Sequence, residues 1–156
     1  MTTLGVLNHS AVCALIARVW HPSNPFMSDG DSPWLDEQGA PTSERSHDHA
    51  VAAGQPLELD VRREIALTLF PDGAGGAAEF FKPLLRVFGG GGAHEVGVPA
   101  SAIDFSVVNG NATGALQVRV FASAAFQFSP LREFFLAPGE SARLSTGEKG
   151  ISLRVA

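Results

Sequence analysis

His47-Asp48-His49 is the tightest group of metal-capable side chains in the sequence. On a β-strand, residues two apart share a face, so a His-x-His pair presents two imidazoles together, and Glu58 and His94 are the other groups that would complete a ligand set. The surroundings argue the other way: S-E-R-S-H-D-H reads as a polar, solvated loop with no second motif to hold a metal, so no cofactor is expected and His47 and His49 are the candidates should one bind. Asp29, Asp31, Asp36 and Glu37 have the composition of a calcium loop, but their spacing, D-x-D-x4-D-E, is not that of an EF-hand. No Gly-x-Ser-x-Gly is present, and the hydroxyl and imidazole pairs Ser10 with His9 and Ser46 with His47 are neighbours in sequence without a reason to form a triad. Gly89 to Gly92 lack the Lys-Ser/Thr of a phosphate loop, and Asn111-Ala112-Thr113 is a glycosylation sequon without a secretory leader. Cys13, between Val12 and Ala14, reads as a buried small hydrophobe. The sum of these readings is a protein that is not an enzyme.

Composition narrows the classes further. At 156 residues and 45% hydrophobic, the chain is sized for one domain, 1–156, with a real core. A net charge of -5 with scattered basic residues argues against nucleic acid as partner. One cysteine excludes an intrachain disulfide. No basic run precedes an apolar stretch at the N-terminus, and no segment reaches the roughly 18 uncharged apolar residues of a membrane span, so synthesis in a cytoplasm without a signal peptide is expected and no membrane partner. Eleven Phe and no Tyr point to a Phe-filled core.

The elements that must position any site read as strands. Ala115 to Phe128 alternates with Leu116, Val118, Val120, Ala122, Ala124, Phe126 and Phe128 on one face, which predicts a long central strand with even residues inward. The apolar run Ala11 to Ile16 fits a doubly buried strand or a short helix, and its β-branched content and the stop at His21-Pro22 favour the strand, with His9 in a loop or at an edge. Leu57 to Leu69 places apolar residues on odd positions except at Arg63, which predicts one strand with a bulge near Arg62-Arg63. Ala77 to Phe88 is interrupted by Pro83, which suggests a short helical or irregular turn and then a strand from Leu84 to Phe88. Ile103, Phe105 and Val107 alternate before Asn109-Gly110, a hairpin signal. Pro138-Gly139 predicts a turn between two further strands, and I-S-L-R-V closes the chain. Seven or eight short strands of this kind make an all-β, single-domain two-sheet β-sandwich or jelly roll.

Between His21 and Pro56 the chain carries five prolines and no convincing periodicity, which marks a long Pro-rich arm or loop excursion, residues 21–56. Phe26, Trp34 and Leu35 stand in it as apolar anchors that dock it on its own body or on a neighbouring subunit. A small sandwich, an arm with aromatic anchors and glycine-rich loops together give a layout that resembles the decoration, or cement, proteins of tailed-phage capsids, often trimers. The resemblance is one of overall layout and carries no residue over. It implies a homo-oligomer on a virion surface whose further partner is the major structural protein of the particle. A carbohydrate- or small-ligand-binding sandwich is the alternative, and a cupin-like metalloenzyme built on His47, His49, Glu58 and His94 the third reading.

Overall fold

The computed structural model describes residues 2–26, 32–36, 38–61, 64–72, 102–121, 130–146 and 150–156. These form two large antiparallel sheets and no helix. Twelve strands are present among them: β1 (Thr2–Asn8), β2 (Leu15–Trp20), β3 (Trp34–Leu35), β4 (Pro41–Thr42), β5 (Ser46–Val51), β6 (Pro56–Val61), β7 (Ile65–Pro71), β8 (Asp104–Asn109), β9 (Leu116–Phe121), β10 (Arg132–Leu136), β11 (Ser141–Ser145) and β12 (Ile151–Val155). One sheet has the order β11-β8-β1-β6 and the other β10-β9-β12-β7-β2-β5, with β3 and β4 pairing apart from both. The two inner faces share one core. Leu4, Val6, Phe105 and Val107 enter from the four-stranded sheet; Leu15, Ala17, Leu67, Leu69, Val118, Leu153 and Val155 enter from the six-stranded one. The chain is therefore a β-sandwich, as its alternating pattern requires.

Alternation predicted faces well and pairing less well, because a strand's periodicity says which side is greasy and not which sheet it joins. Leu116, Val118 and Val120 are inward as expected, but β9 is flanked by β10 and β12, one place in from the sheet edge; Ala122 to Phe128 lie outside the described residues. Leu57 to Leu69 is two strands in different sheets, β6 and β7, and not one strand with a bulge. Leu57 and Leu59 of β6 and Leu67 and Leu69 of β7 meet the same core from opposite sheets. The run Ala11 to Ile16 is not a strand throughout: residues 9–14 connect β1 to β2, and Val12 is exposed on that connection. Ala77 to Phe88 and Gly89 to Gly92 lie outside the described residues.

Asn109-Gly110 makes no hairpin. A type I′ turn needs positive φ at both central residues, and neither Asn109 nor Gly110 has it. The Asn109 side chain is instead buried, and its amide donates to Gly114 O and Leu136 O, both at 2.9 Å. Its oxygen accepts from Asn111 N at 3.0 Å and Asn111 Nδ2 at 2.7 Å, so it holds the corner at which the chain leaves the four-stranded sheet for the other. Asn8 does the same at the opposite end, donating to Cys13 O at 2.9 Å and Val51 O at 3.0 Å while accepting from Ser10 N. Pro138-Gly139 does form the expected turn, with Glu140 N donating to Ala137 O at 2.9 Å and Gly139 at φ 78, but the strands it joins belong to different sheets.

The predicted arm, 21–56, divides. Its last part is a strand of the body, since Ser46–Val51 pairs with β2 along six residues as the edge of the six-stranded sheet. His47 and His49 thus lie on a strand and not in a polar loop, and the edge position explains why that strand carries polar residues on both faces.

Candidate functional site

The excursion proper begins and ends at a closed neck. His21 N donates to Arg45 O at 2.9 Å, just where β2 and β5 part company. Beyond it, Leu35 N donates to Pro22 O at 3.0 Å and Asn24 N to Pro33 O at 2.9 Å, and the β3–β4 pair folds back over the end of the sandwich. Asp36 Oδ1 shapes the turn between β3 and β4 by accepting from Gln38 N at 2.9 Å and Ala40 N at 2.8 Å.

This fold-back walls a cavity of about 180 Å³. Val19, Trp20, Leu35, Leu59 and Ile65 give it apolar walls; His21, Asp36, Asp60 and Glu64 give it polar groups. A pocket of apolar and aromatic walls with a few polar groups is the usual form of a small-ligand site. Two of the carboxylates are engaged elsewhere, Asp36 in its turn and Glu64 with Arg154 Nη1 at 2.8 Å. Arg45 stacks over the Trp20 ring at 5.7 Å, and Trp20 Nε1 donates to Thr68 Oγ1 at 2.8 Å, so the indole is held from two sides.

His47 and His49 occupy one face of β5, opposite Val19 and Ala17 of β2, and the structure adds a third imidazole to them. His21 Nδ1 lies 2.6 Å from Glu44 O, His21 Nε2 lies 2.7 Å from His47 Nδ1, and His47 Nε2 lies 3.0 Å from His49 Nε2. The contacts run through the ring nitrogens that would otherwise ligate, and among the described residues no group of three or more His, Cys, Asp or Glu is arranged to hold a metal. Glu58 is exposed on β6 of the other sheet, and His94 lies outside the described residues. The part of His21 was hidden in the sequence because 26 positions separate it from His47.

His9 is in a loop after β1 and pairs with Ser106, its Nε2 2.6 Å from the hydroxyl across 97 positions. This is the spacing of a nucleophile and its base. The nearby Asp104 carboxylate is turned to Arg143 at 3.3 Å, so it does not orient the imidazole, and the pair reads as a hydrogen-bonded link between β1 and β8. Asn111 of the sequon is engaged too, its Oδ1 accepting from Thr3 N at 2.7 Å. Cys13 is half-buried against the core as a free thiol. Of the acidic group, Asp36 caps a turn, while Asp29, Asp31 and Glu37 lie outside the described residues.

The three anchors of the excursion are placed differently. Leu35 is 7% exposed on the cavity wall, Trp34 is half-buried in β3, and Phe26 is 85% exposed beyond the neck. Leu131 and Phe135 are exposed at and before the edge strand β10. No protein-family model matches the chain, and comparison with curated proteins and with solved structures finds none similar to it.

Proposed function

We propose that this chain is a non-enzymatic structural protein that works by attachment: it oligomerises and docks on a larger particle, as a capsid decoration or cement protein does on a virion. The observation that carries the reading is Phe26, 85% exposed in a turn in which Asn24 Oδ1 accepts from Phe26 N at 3.0 Å. A large apolar side chain presented outward is available to a partner, and burying a Phe contributes roughly 1.5 to 3 kcal/mol. Trp34, bridged to Ser23, and Leu35, buried with its N–H on Pro22 O, support it by tying the excursion to the body. Leu131, just before β10, and Phe135 on that edge strand favour self-association as a second contact. Major structural proteins of a shell are the partner class; nucleic acid and membrane are not part of this reading.

A second reading is favoured by the cavity beside Trp20: a small-ligand-binding module closed by the β3–β4 fold-back. Light scattering across a range of concentration separates the two. Association that grows with concentration supports the attachment reading, and a strict monomer whose melting temperature rises with a carbohydrate or other small ligand supports the second.

A further inference from the structure

The three imidazoles are ordered by the hydrogens they must carry. A carbonyl oxygen only accepts, so His21 Nδ1, 2.6 Å from Glu44 O, holds the hydrogen of its neutral ring. Its Nε2 is then the acceptor in the 2.7 Å contact, and His47 Nδ1 donates to it. The nitrogen of a neutral His47 that carries no hydrogen is therefore Nε2, which lies 3.0 Å from His49 Nε2. A histidine that ligates a metal through one nitrogen is oriented by the hydrogen bond that its other N–H donates. His47 has such a bond, to a ring that is itself fastened to the backbone at Glu44.

We infer that His47 Nε2 and His49 Nε2 form a two-imidazole chelate for a divalent late transition ion, Cu2+ above all, with His21 as the residue that positions His47. Both ligands lie on one face of β5, opposite Val19 and Ala17 of β2, and both are half-buried. An ion about 2.0 to 2.1 Å from each of two nitrogens that are 3.0 Å apart makes an angle of about 91 to 97° with them. That is close to the right angle between neighbouring ligands in square-planar or tetragonal geometry, which Cu2+ and Ni2+ favour, whereas a tetrahedral ion needs the nitrogens about 3.3 to 3.4 Å apart. The ring planes stand at 80°, so the imidazoles meet by their edges and are not stacked. Without an ion, His49 Nε2 donates to His47 Nε2; the ion takes the place of that hydrogen, and a neutral His49 carries its hydrogen on Nδ1 instead. Asp48, between the two in sequence, is on the opposite face, where it binds Arg18 Nε at 2.8 Å. No third His, Cys, Asp or Glu joins the pair among the described residues, so the remaining positions on the ion fall to water or to a donor that a partner brings. The inference does not rest on the attachment reading, since neither Phe26 nor the β10 edge takes part.

The test is titration of the full chain with Cu2+ alone, in a non-chelating buffer at about pH 8. Electron paramagnetic resonance reads the ligands, competition with a chelating dye reads the dissociation constant, and circular dichroism checks that each variant is folded. The expected result is about one Cu2+ per chain in a tetragonal site with two imidazole nitrogens, with Ni2+ and Zn2+ bound more weakly. His21→Ala leaves both ligands in place and is expected to weaken binding about 10-fold with two nitrogens still in the spectrum; His21→Gln, whose amide accepts from His47 and donates to Glu44 O, recovers part of the loss. His47→Gln and His49→Gln each take one imidazole out of the spectrum and weaken binding by more than His21→Ala does, and if one of them does not fold the other carries the expectation. His9→Gln, outside the row, binds as the wild type does. A wild-type chain without the two-imidazole copper signal, or a folded variant at His47 or His49 that binds as tightly as the wild type, would overturn the chelate. Unchanged binding in a folded His21→Ala would overturn the positioning role of His21.

Discussion

Replacing Asn109 by Ala removes four hydrogen bonds from one buried corner, and the size of the effect can be worked from where each partner lies. Leu136 is buried, so its carbonyl loses a donor with no water to replace it; Gly114 is exposed, and its carbonyl rehydrates. On the other side of the amide, Asn111 N and Nδ2 lose their acceptor at a half-buried position. One unsatisfied buried carbonyl costs roughly 1 to 3 kcal/mol and each of the two bonds lost by Asn111 roughly 1, the rehydrated Gly114 carbonyl adding little, so a destabilisation of about 3 to 5 kcal/mol is expected. Asn109→Asp fills the void but cannot donate to two carbonyls, and it is expected to cost as much. The assay is urea denaturation followed by circular dichroism, with the slope of the transition unchanged and the midpoint lowered. A loss below about 1 kcal/mol for Asn109→Ala would refute the account of the corner.

Other expectations follow from single positions. Val118→Asp places an unpaired charge at a fully buried site and is expected to cost several kcal/mol, whereas Gln117→Asp, half-exposed on the outer face of the same strand, is expected to cost about 0.5 or less; equal denaturation midpoints would contradict the facing of β9. Gly150 has φ +81 and its added Cβ would sit 2.9 Å from Leu69 O, so Gly150→Ala is expected to cost about 2 kcal/mol or more, and calorimetry should find it well below Gly139→Ala, whose φ is similar but whose Cβ meets nothing.

The sandwich was legible from alternation alone, and the reason is physical: Val118, Leu67, Leu153 and Phe105 must face a core whichever sheet carries them. The pairing was not. Asn109-Gly110 and Pro138-Gly139 are strong local signals, but what happens after a turn depends on whether a sheet edge is free, which local sequence does not encode. In sequence the edge strand β5 looks like part of an arm, because an edge needs apolar residues on one side only in part, and Ser46 to Ala50 contains few. Of the site, His47 and His49 were visible as a pair, while His21 joined them only through the neck, and Ser106 met His9 only through the β1–β8 register. The anchors were recognised by type as large apolar residues in a polar stretch. Their division into docked Leu35 and outward Phe26 required the β3–β4 fold-back, which no periodicity marks.

Sedimentation velocity of the wild-type chain and of Phe26→Ala, compared over a range of concentration, tests the attachment reading most directly. Phe26 is 85% exposed, so the variant should keep the wild-type melting temperature while losing association by about 2 kcal/mol, roughly a 30-fold weaker constant. A variant that remains folded and associates as the wild type does, or a wild type that stays monomeric at every concentration, would contradict a protein that works by attachment.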